Sequence, residues 1–248
     1  MKSEFFILHV DMDSFYASVE AKRRDIHGEP IIVCVYSGRS EDSGAVSTTS
    51  YEAREFGIEA GMSISRAKNI AEENQERSEI EFHFVPMDKE YYRQVSREIK
   101  EEILEDYSQK IEQASIDEYF VDLSSRVKGW DDAEGLGDEI RERVKTEFGL
   151  TCSVGIGPNK LVAKIASDRD KPDGTTVVTA DDVRDFMNSL ELEDVHGIGK
   201  KTIERLSVLG INSVEELADA DGSALMEEFG KNLGPKLIAK AKGEGETE

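Results

Sequence analysis

The order of strand and helix patterns along the chain predicts an α+β fold with a mixed sheet at its centre and an all-helical end. Three observations carry that expectation. The apolar runs FFILHV (residues 5–10) and TCSVGIG read as buried strands. From EFHFVP to TCSVGIG the patterns run strand, helix, strand, strand, helix, strand, which is the split βαβ order, with antiparallel strands on one side and helices on the other. From about residue 180 strand signals stop and glycine-punctuated helical patterns take over.

Taken in order, FFILHV ends at Asp11, and ASVEAKRRDI continues as a helix. A strand at IIVCVY, a Ser/Gly/Glu loop, the short apolar stretch GAVSTT and helical patterns from about Tyr51 and Ile64 follow. Residues 15–80 are small and polar and read as a lobe inserted into the larger fold. That fold resumes with EFHFVP and then Asp88, an N-cap for a helix whose Tyr91, Val95, Ile99 and Ile103 repeat every four residues on one face. KIEQAS and YFVDLS are strands with Ile116, Asp117 and Glu118 between them, and a second helix covers about 132–148. HGIGKKTIERLSVLGI, SVEELADA, ALMEEF and PKLIAKAKG make a small helical module over 179–242, and GEGETE (243–248) is expected to be a disordered tail.

The 248 residues allow one large domain or two modest ones. No apolar run approaches the ~18 residues needed to cross a bilayer, and MKSEFFILHV has no secretion-signal pattern, so a cytoplasmic protein is expected. Cys34 and Cys152 lie inside apolar runs and read as core residues rather than a disulfide. His9, His27, His83 and His196 show no metal-ligand spacing, and no zinc is assigned. The net charge of −22, from 31 Lys+Arg against 53 Asp+Glu, argues on average against a nucleic-acid partner. The average hides an asymmetry. Acid clusters such as AEENQERSEIE and DDAEGLGDEIRE read as solvated faces, whereas Lys200, Lys201, Arg205, Lys231, Lys236, Lys240 and Lys242 gather near the C-terminus. So acidic a surface suits a halophilic organism, whose salty cytoplasm screens self-repulsion.

Asp11 and Asp13 close one apolar stretch, and Asp117 and Glu118 interrupt another. Carboxylates are costly to crowd unless a cation sits between them, so Asp11, Asp117 and Glu118 converging on one point would imply a bound metal ion. Oxygen-only ligands favour Mg2+ or Mn2+, with water and substrate phosphates completing the shell, which is equipment for phosphoryl transfer. In a regular strand Asp117 and Glu118 face opposite ways, so both reach one ion only from a hairpin bend.

The segments DMDSFYASVE, SGRSEDSGAVSTTSYEAREFGI, SIDEYFVDLS, SVGIGPNKLVAKIAS and KPDG, in that order, resemble the Y-family translesion DNA polymerases of the DNA polymerase IV type. The resemblance implies a ferredoxin-like palm (1–14 and 81–178), an inserted fingers lobe (15–80) and a helical thumb (179–242). It implies two Mg2+ ions, or Mn2+, held by Asp11, Asp117, Glu118 and the Met12 carbonyl. It places Phe15, Tyr16, Thr48, Tyr51, Arg54 and Lys171 at the incoming nucleotide, with Tyr16 as the steric gate against a ribose 2′-hydroxyl. Read as core aromatics, Phe15 and Tyr16 would only open a helix, and Tyr51 and Arg54 as an i, i+3 pair would only share a solvated face. Gly38, Gly44, Ala45, Ser47 and Gly61 are small where the resemblance has the lobe cover the nascent base pair, which implies low fidelity and tolerance of damaged templates; read plainly, they are only turn residues. VHGIGKKTIERL resembles a helix-hairpin-helix, in which Gly197, Gly199, Lys200 and Lys201 would bind a DNA phosphate without reading sequence.

Three departures accompany the resemblance. Tyr119 stands where the family has a small residue, AEENQERSEIEFHF is longer than the linker of several relatives, and His196 replaces the motif's proline. The family also carries a further C-terminal DNA-binding domain of ~100 residues, a normal domain size, so the chain reads either as an excised catalytic fragment or as a naturally short form. The expectation is a monomeric, distributive DNA-directed DNA polymerase acting in DNA replication, damage tolerance and repair. Its partners would be primer-template DNA, deoxynucleoside triphosphates and a sliding clamp met through the missing region, with no membrane. A non-catalytic DNA-binding module using the hairpin, and a nucleotidyl cyclase with strand-end acids, are the rival readings.

Overall fold

The computed structural model describes residues 4–38, 42–76 and 80–247. Residues 39–41 of SGRSEDSG, residues 77–79 of the acidic segment and the final Glu248 lie outside the described residues. The strands are β1 (Ile7–Met12), β2 (Ile31–Tyr36), β3 (Gly44–Thr49), β4 (His83–Pro86), β5 (Ile111–Gln113), β6 (Glu118–Asp122), β7 (Cys152–Gly157) and β8 (Thr175–Val177). The helices are α1 (Phe15–Arg24), α2 (Tyr51–Glu55), α3 (Ile64–Gln75), α4 (Lys89–Glu102), α5 (Trp130–Arg143), α6 (Lys160–Ser167), α7 (Val183–Asn188), α8 (Lys200–Val208), α9 (Val214–Ala218) and α10 (Gly222–Ala241). Two compact units result, one of Met1–Asp11, Leu104–Glu142 and Cys152–Glu248, the other of Met12–Ile103 and Arg143–Thr151. No helix among the described residues is long and apolar enough to cross a membrane.

The first unit holds a five-stranded sheet in the order β5-β6-β1-β7-β8. Four of these strands give the ferredoxin-like split βαβ arrangement, but its first strand is β1, not EFHFVP as the sequence order suggests. β4 instead pairs in parallel with β2, Ile31 opposite His83, inside the separate sheet β3-β2-β4. A four-residue strand carries no signal of its partner, and the Val/Ile-rich β2 offers it a fully buried edge.

β7 is buried along its whole length, and alternation explains how. Val154 and Ile156 meet α5 at Gly137, where an added Cβ would lie 3.2 Å from both side chains. Gly155 and Gly157 face α6 so closely that a Cβ on Gly155 would sit 2.0 Å from the Ala163 carbonyl oxygen. Asn159 caps α6 by accepting from the Val162 amide at 3.0 Å. Its side-chain amide donates to the Gly243 carbonyl at 2.8 Å, and Lys160 N–H donates to the Glu246 carbonyl at 2.8 Å. Residues 243–247 of GEGETE, expected to be disordered, therefore lie along the start of α6, because the Gly243 and Glu246 carbonyls satisfy donors there. The C-terminal helices share one core, in which Leu192, Val195, Ile198, Leu206, Leu217 and Leu237 pack with Ile165 of α6. α10 breaks at Gly230, where φ is 85°.

In the second unit, β2 and β3 pack on α2 and α3 through Ile32, Cys34, Val46, Ala53, Ile58 and Ile64. Ser50 and Ser63 cap those helices with their hydroxyls. α4 begins at Asp88 as expected, its carboxylate accepting from the Tyr91 amide at 3.2 Å. Of the expected row, Val95, Ile99 and Ile103 are buried, but Tyr92 takes the place of Tyr91, with Ser96 beside it. The Tyr92 hydroxyl donates at 2.9 Å to the fully buried Glu20 carboxylate, which Arg24 also engages at 2.7 Å, so the buried charge is paired. Tyr91 instead lies under the Arg23 guanidinium at 4.4 Å. The helix expected over 132–148 ends as α5 at Arg143 and continues as a wide π turn, Val144–Phe148, closed by left-handed Gly149.

Both cysteines are free and buried, as the apolar runs indicated. Burial pushes the Cys34 thiol up to about 11. The native chain should therefore leave Cys34 unmodified by iodoacetamide at pH 8 and expose it only in denaturant; rapid alkylation of Cys34 in the native state, read by mass spectrometry, would contradict its placement.

Candidate active site

The register of β1 against β6 places Asp11 directly opposite Glu118. Residues 115–117 form the bend before β6, and the amides of Ala114 and Ser115 donate to the Glu118 carbonyl at 3.0 and 3.4 Å to close it. Asp117 sits in that bend, outside strand alternation, and accepts from the Ser115 hydroxyl. The first strand's end and the hairpin bend are thus neighbours, and two of the three acids are cross-strand partners. Like charges directly opposite are destabilising, so this pairing needs a compensating cation.

Two lysines supply positive charge here. Lys171 Nζ lies 2.6 Å from Asp11 and 2.7 Å from Asp168. Burial opposes the Lys171 charge, but Asp11 and then Asp168 outweigh it and raise its pKa. For Asp11 burial is the stronger influence: it raises the carboxyl above its ordinary value against the pull of Lys171. Lys164, one helical turn from Asp168 on α6, contacts Glu118 Oε2.

His9, two residues before Asp11, is fully buried. Its Nδ1 is 2.8 Å from Ser167 Oγ, whose hydroxyl donates to the Lys164 carbonyl at 2.7 Å; its ring lies 4.6 Å from Phe120, and its Nε2 stands 3.7 Å from Glu118 Oε2 with no hydrogen-bond partner among the described residues. The imidazole first, and Lys164 after it, hold the Glu118 carboxyl down to about 2, although burial pushes the other way. At 3.7 Å the histidine acts as an electrostatic neighbour rather than through a closed hydrogen bond. This orphaned buried nitrogen, beside a carboxylate that lies opposite a second carboxylate, belongs to a polar cluster that suits a cation. An all-oxygen donor set fits Mg2+ or Mn2+.

In the same unit a cavity of ≈ 610 Å³ lies between α6 and the glycine turn before α8, lined by Lys164, Asp168, Arg169, Asp194, His196 and Gly197 among others. Gly197 is left-handed, φ 85°, and a Cβ there would meet Lys240 Nζ, which itself donates to the His196 carbonyl at 2.7 Å. Burial, then Lys164 and Lys240, hold the His196 imidazole below its ordinary value. Gly199 is the N-cap of α8 without a capping side chain, leaving the helix's first amides open, and Lys200 and Lys201 are exposed beside them.

In the second unit Met12 closes β1, and Phe15 is buried in the core, as the plainer reading of that aromatic had it. Tyr16 stacks on Tyr92 with ring centroids 4.5 Å apart and remains half-buried. Arg54 stacks over Tyr51 at 4.7 Å, donates to Ser14 Oγ at 2.8 Å and to the Thr49 carbonyl at 3.1 Å. Thr48, half-buried, lies in β3 opposite Val33. Ser14 is left-handed, φ 45°, and the sequence reading had passed over it, as over His9 and Lys164. Ser14 and Lys164 lie inside the segments DMDSFYASVE and SVGIGPNKLVAKIAS, and that place is the sequence signal that points to them. Glu29, Glu81 and His83 bring ligand atoms within 4.8 Å of one another, a grouping that sequence spacing did not reveal because the β2·β4 pairing creates it. There the Glu29 carboxylate already engages the His83 ring.

A model of the impB/mucB/samB family matches residues 10–168, and a model of the IMS family HHH motif matches residues 180–211. The DNA polymerase IV of Sulfurisphaera tokodaii is 43% identical over 226 residues, covering 91% of this chain and 62% of that protein. The DNA polymerase IV of Metallosphaera sedula is 42% identical over 236 residues, covering 95% and 65%. The chain thus spans a little under two thirds of the length of these relatives. Among solved structures, the insertion ternary complex of Dbh DNA polymerase superposes with a TM-score of 0.87 at 35% identity, covering 97% of this chain and 68% of that one. The crystal structure of DinB from Sulfolobus solfataricus does so with a TM-score of 0.85 at 34% identity and the same coverage.

Proposed function

Because the chain belongs to the impB/mucB/samB family, we propose that it adds deoxynucleotides to a primer 3′ end under the direction of a template, by two-metal phosphoryl transfer. The observation that carries this reading is the pairing of Asp11 with Glu118 across β1 and β6, with Asp117 in the adjoining bend. Asp11, Asp117, Glu118 and the Met12 carbonyl would hold the ions. Bound divalent cations at such a site supply activation of the primer 3′-hydroxyl and charge neutralisation at the leaving pyrophosphate.

The chain's own side chains do the rest. Lys171 is a fixed cation beside Asp11, and Arg54, stacked on Tyr51, presents guanidinium donors of the geometry that grips phosphate oxygens. The open amides of α8, with Lys200 and Lys201, offer a sequence-independent seat for a backbone phosphate of primer-template DNA. The sheet β5-β6-β1-β7-β8 with α5 and α6 serves as palm, the sheet β3-β2-β4 with α2 and α3 as fingers, and residues 179–242 as thumb. The small residues Gly44, Ala45, Ser47 and Gly61 press weakly on base-pair shape, which favours low fidelity and translesion synthesis. The chain acts in a cytoplasm as a monomer.

Tyr16 is assigned as the sugar gate, its ring held by Tyr92. Tyr16→Ala should raise the ratio of ribonucleotide to deoxyribonucleotide insertion by at least about tenfold, about 1.4 kcal/mol of discrimination, without abolishing synthesis. An unchanged ratio in single-nucleotide insertion assays removes the steric role.

The excess of 53 acids over 31 bases makes the chain salt-requiring. Transfer from molar KCl to dilute buffer should lower both the melting temperature and the extension rate, and equal values in the two buffers would count against a halophilic origin. The function itself is tested by incubating the chain with Mg2+ and nucleoside triphosphates, with and without primer-template. Template-dependent, distributive extension supports it; binding of DNA without extension would leave a non-catalytic module, and a cyclic nucleotide product without primer would indicate a cyclase.

A further inference from the structure

We infer that Arg141 is a positioning residue for Lys171: it braces the turn of residues 170–174 and so fixes where that ammonium stands. The inference rests on the reading of Lys171 as a contact for the incoming triphosphate, though its geometry does not. Arg141 lies in the last turn of α5 and is only partly exposed. A guanidinium taken from water needs partners, and this one spreads its donors over the start of β8 and the turn before it. Nη1 donates to Thr175 Oγ1 at 3.1 Å and to Asp138 Oδ1 at 3.0 Å. Nη2 donates to Asp173 Oδ1 at 2.9 Å and also to the Asp173 carbonyl. Gripping a backbone carbonyl as well as a carboxylate fixes the main chain, which an ion pair between side chains does not. The Thr175 hydroxyl donates to Asp138 at 2.8 Å, so the brace closes back on α5. Nε is buried with no partner among the described residues, a cost the side chain bears where its fork must reach both Asp173 and Thr175.

The turn needs such a brace. Asp173 is left-handed, φ 56°, a conformation that costs an L-residue free energy and persists where its surroundings hold it. Gly174 passes so close to Asp170 that an added Cβ would lie 1.9 Å from the Asp170 carbonyl oxygen. The Val154 amide donates to the Gly174 carbonyl at 2.9 Å, which ties the end of the turn to β7. Two residues before Asp173, Lys171 reaches Asp11 at 2.6 Å and Asp168 at 2.7 Å. A flexible four-carbon stem is delivered to one place by a fixed main chain and to many by a loose one. The partners of Arg141 are Asp138, Asp173 and Thr175, so it acts on the ammonium through the main chain between them.

The test joins a double-mutant cycle to hydrogen exchange, both on the full chain. In single-nucleotide insertion at saturating primer-template and Mg2+, Arg141→Ala should raise KM for the deoxynucleoside triphosphate about tenfold, while kcat changes less than about threefold. In a Lys171→Ala background, which itself raises KM, the same change should add less than about twofold, because the group acted through is gone. A further rise of about tenfold there, or an unchanged KM in folded Arg141→Ala, overturns the inference. Arg141→Gln, which keeps part of the stem and one amide donor, carries the same cycle where Arg141→Ala fails to fold. Independently of activity, amide exchange in the peptide spanning residues 170–175 should quicken about tenfold in either folded variant, with the rest of the chain unchanged. Equal exchange in parent and variant overturns the inference. Faster exchange in a chain that inserts no nucleotide would overturn the polymerase reading, and faster exchange with a KM indifferent to Lys171→Ala would overturn the nucleotide role of Lys171. Either result leaves the brace of the turn intact.

Discussion

Asp117→Ala is expected to lower the primer-extension rate by at least about a thousandfold, about 4 kcal/mol of transition-state stabilisation, with the fold intact. The asymmetry follows from where the residue sits. Asp117 is half-buried in the bend before β6 and accepts one hydrogen bond, from Ser115, so truncation removes little packing. Changes at such positions typically alter stability by about 0.5 kcal/mol or less, a shift of about 2 °C in a chain of this size. Glu118→Ala is a poorer probe, because it strips the partner from Lys164 and so mixes lost stability with lost chemistry. Extension by folded Asp117→Ala within tenfold of the parent would remove the two-metal mechanism. Circular-dichroism melting establishes the fold in the same preparation.

The largest structural effect is expected from Gly155→Ala. A methyl there would lie 2.0 Å from the Ala163 carbonyl oxygen and 2.3 Å from the Ser167 amide nitrogen, both backbone atoms of α6. A helix backbone cannot rotate away as a side chain does, so α6 must lift from β7. Overpacking of this severity costs about 3 kcal/mol or more, a fall of roughly 6–12 °C in Tm. Gly137→Ala on α5, across the opposite face of β7, is the control, since its methyl meets side-chain ends, Val154 and Ile156 at 3.2 Å and Thr175 at 3.6 Å. The gain from replacing a helical glycine, about 0.5–1 kcal/mol, should offset most of that crowding. Equal melting temperatures for the two variants would show that the close approach of α6 to β7 does not constrain the fold. Lys164 and Ser167 ride on α6, so Gly155→Ala should also weaken cation binding.

Several of these features were legible beforehand because they are local. FFILHV and TCSVGIG announce themselves as strands by unbroken apolarity, Asp88 as an N-cap by the periodic run behind it, and the two cysteines as core residues by their neighbours. The alternation rule demanded a bend at Asp117 if two adjacent acids were to serve one ion, and a bend is there. Where the reading slipped, the missing information was spatial. β4 has four residues and joins β2 rather than the central sheet. On α4 the expected Val95, Ile99 and Ile103 are buried, but the buried tyrosine is Tyr92 rather than Tyr91, its hydroxyl donating to the buried Glu20 carboxylate of another helix. His9 reads in the sequence as one more residue of an apolar strand, and its neighbour Glu118 is 109 positions away (118 − 9).

The amino-acid sequence by itself determined the α+β class, the order of strands and helices as far as TCSVGIG, and the acids that end one strand and bend another, since propensity, periodicity and turn chemistry act over a few residues; α6 and β8 went unread. Only the tertiary structure decided which strands became neighbours, that Lys171 and Lys164 stand against Asp11 and Glu118, and that a buried imidazole faces the latter. Burial, cross-strand register and Coulombic pairing depend on distance through space, and distance through space is set only when the chain has closed on itself.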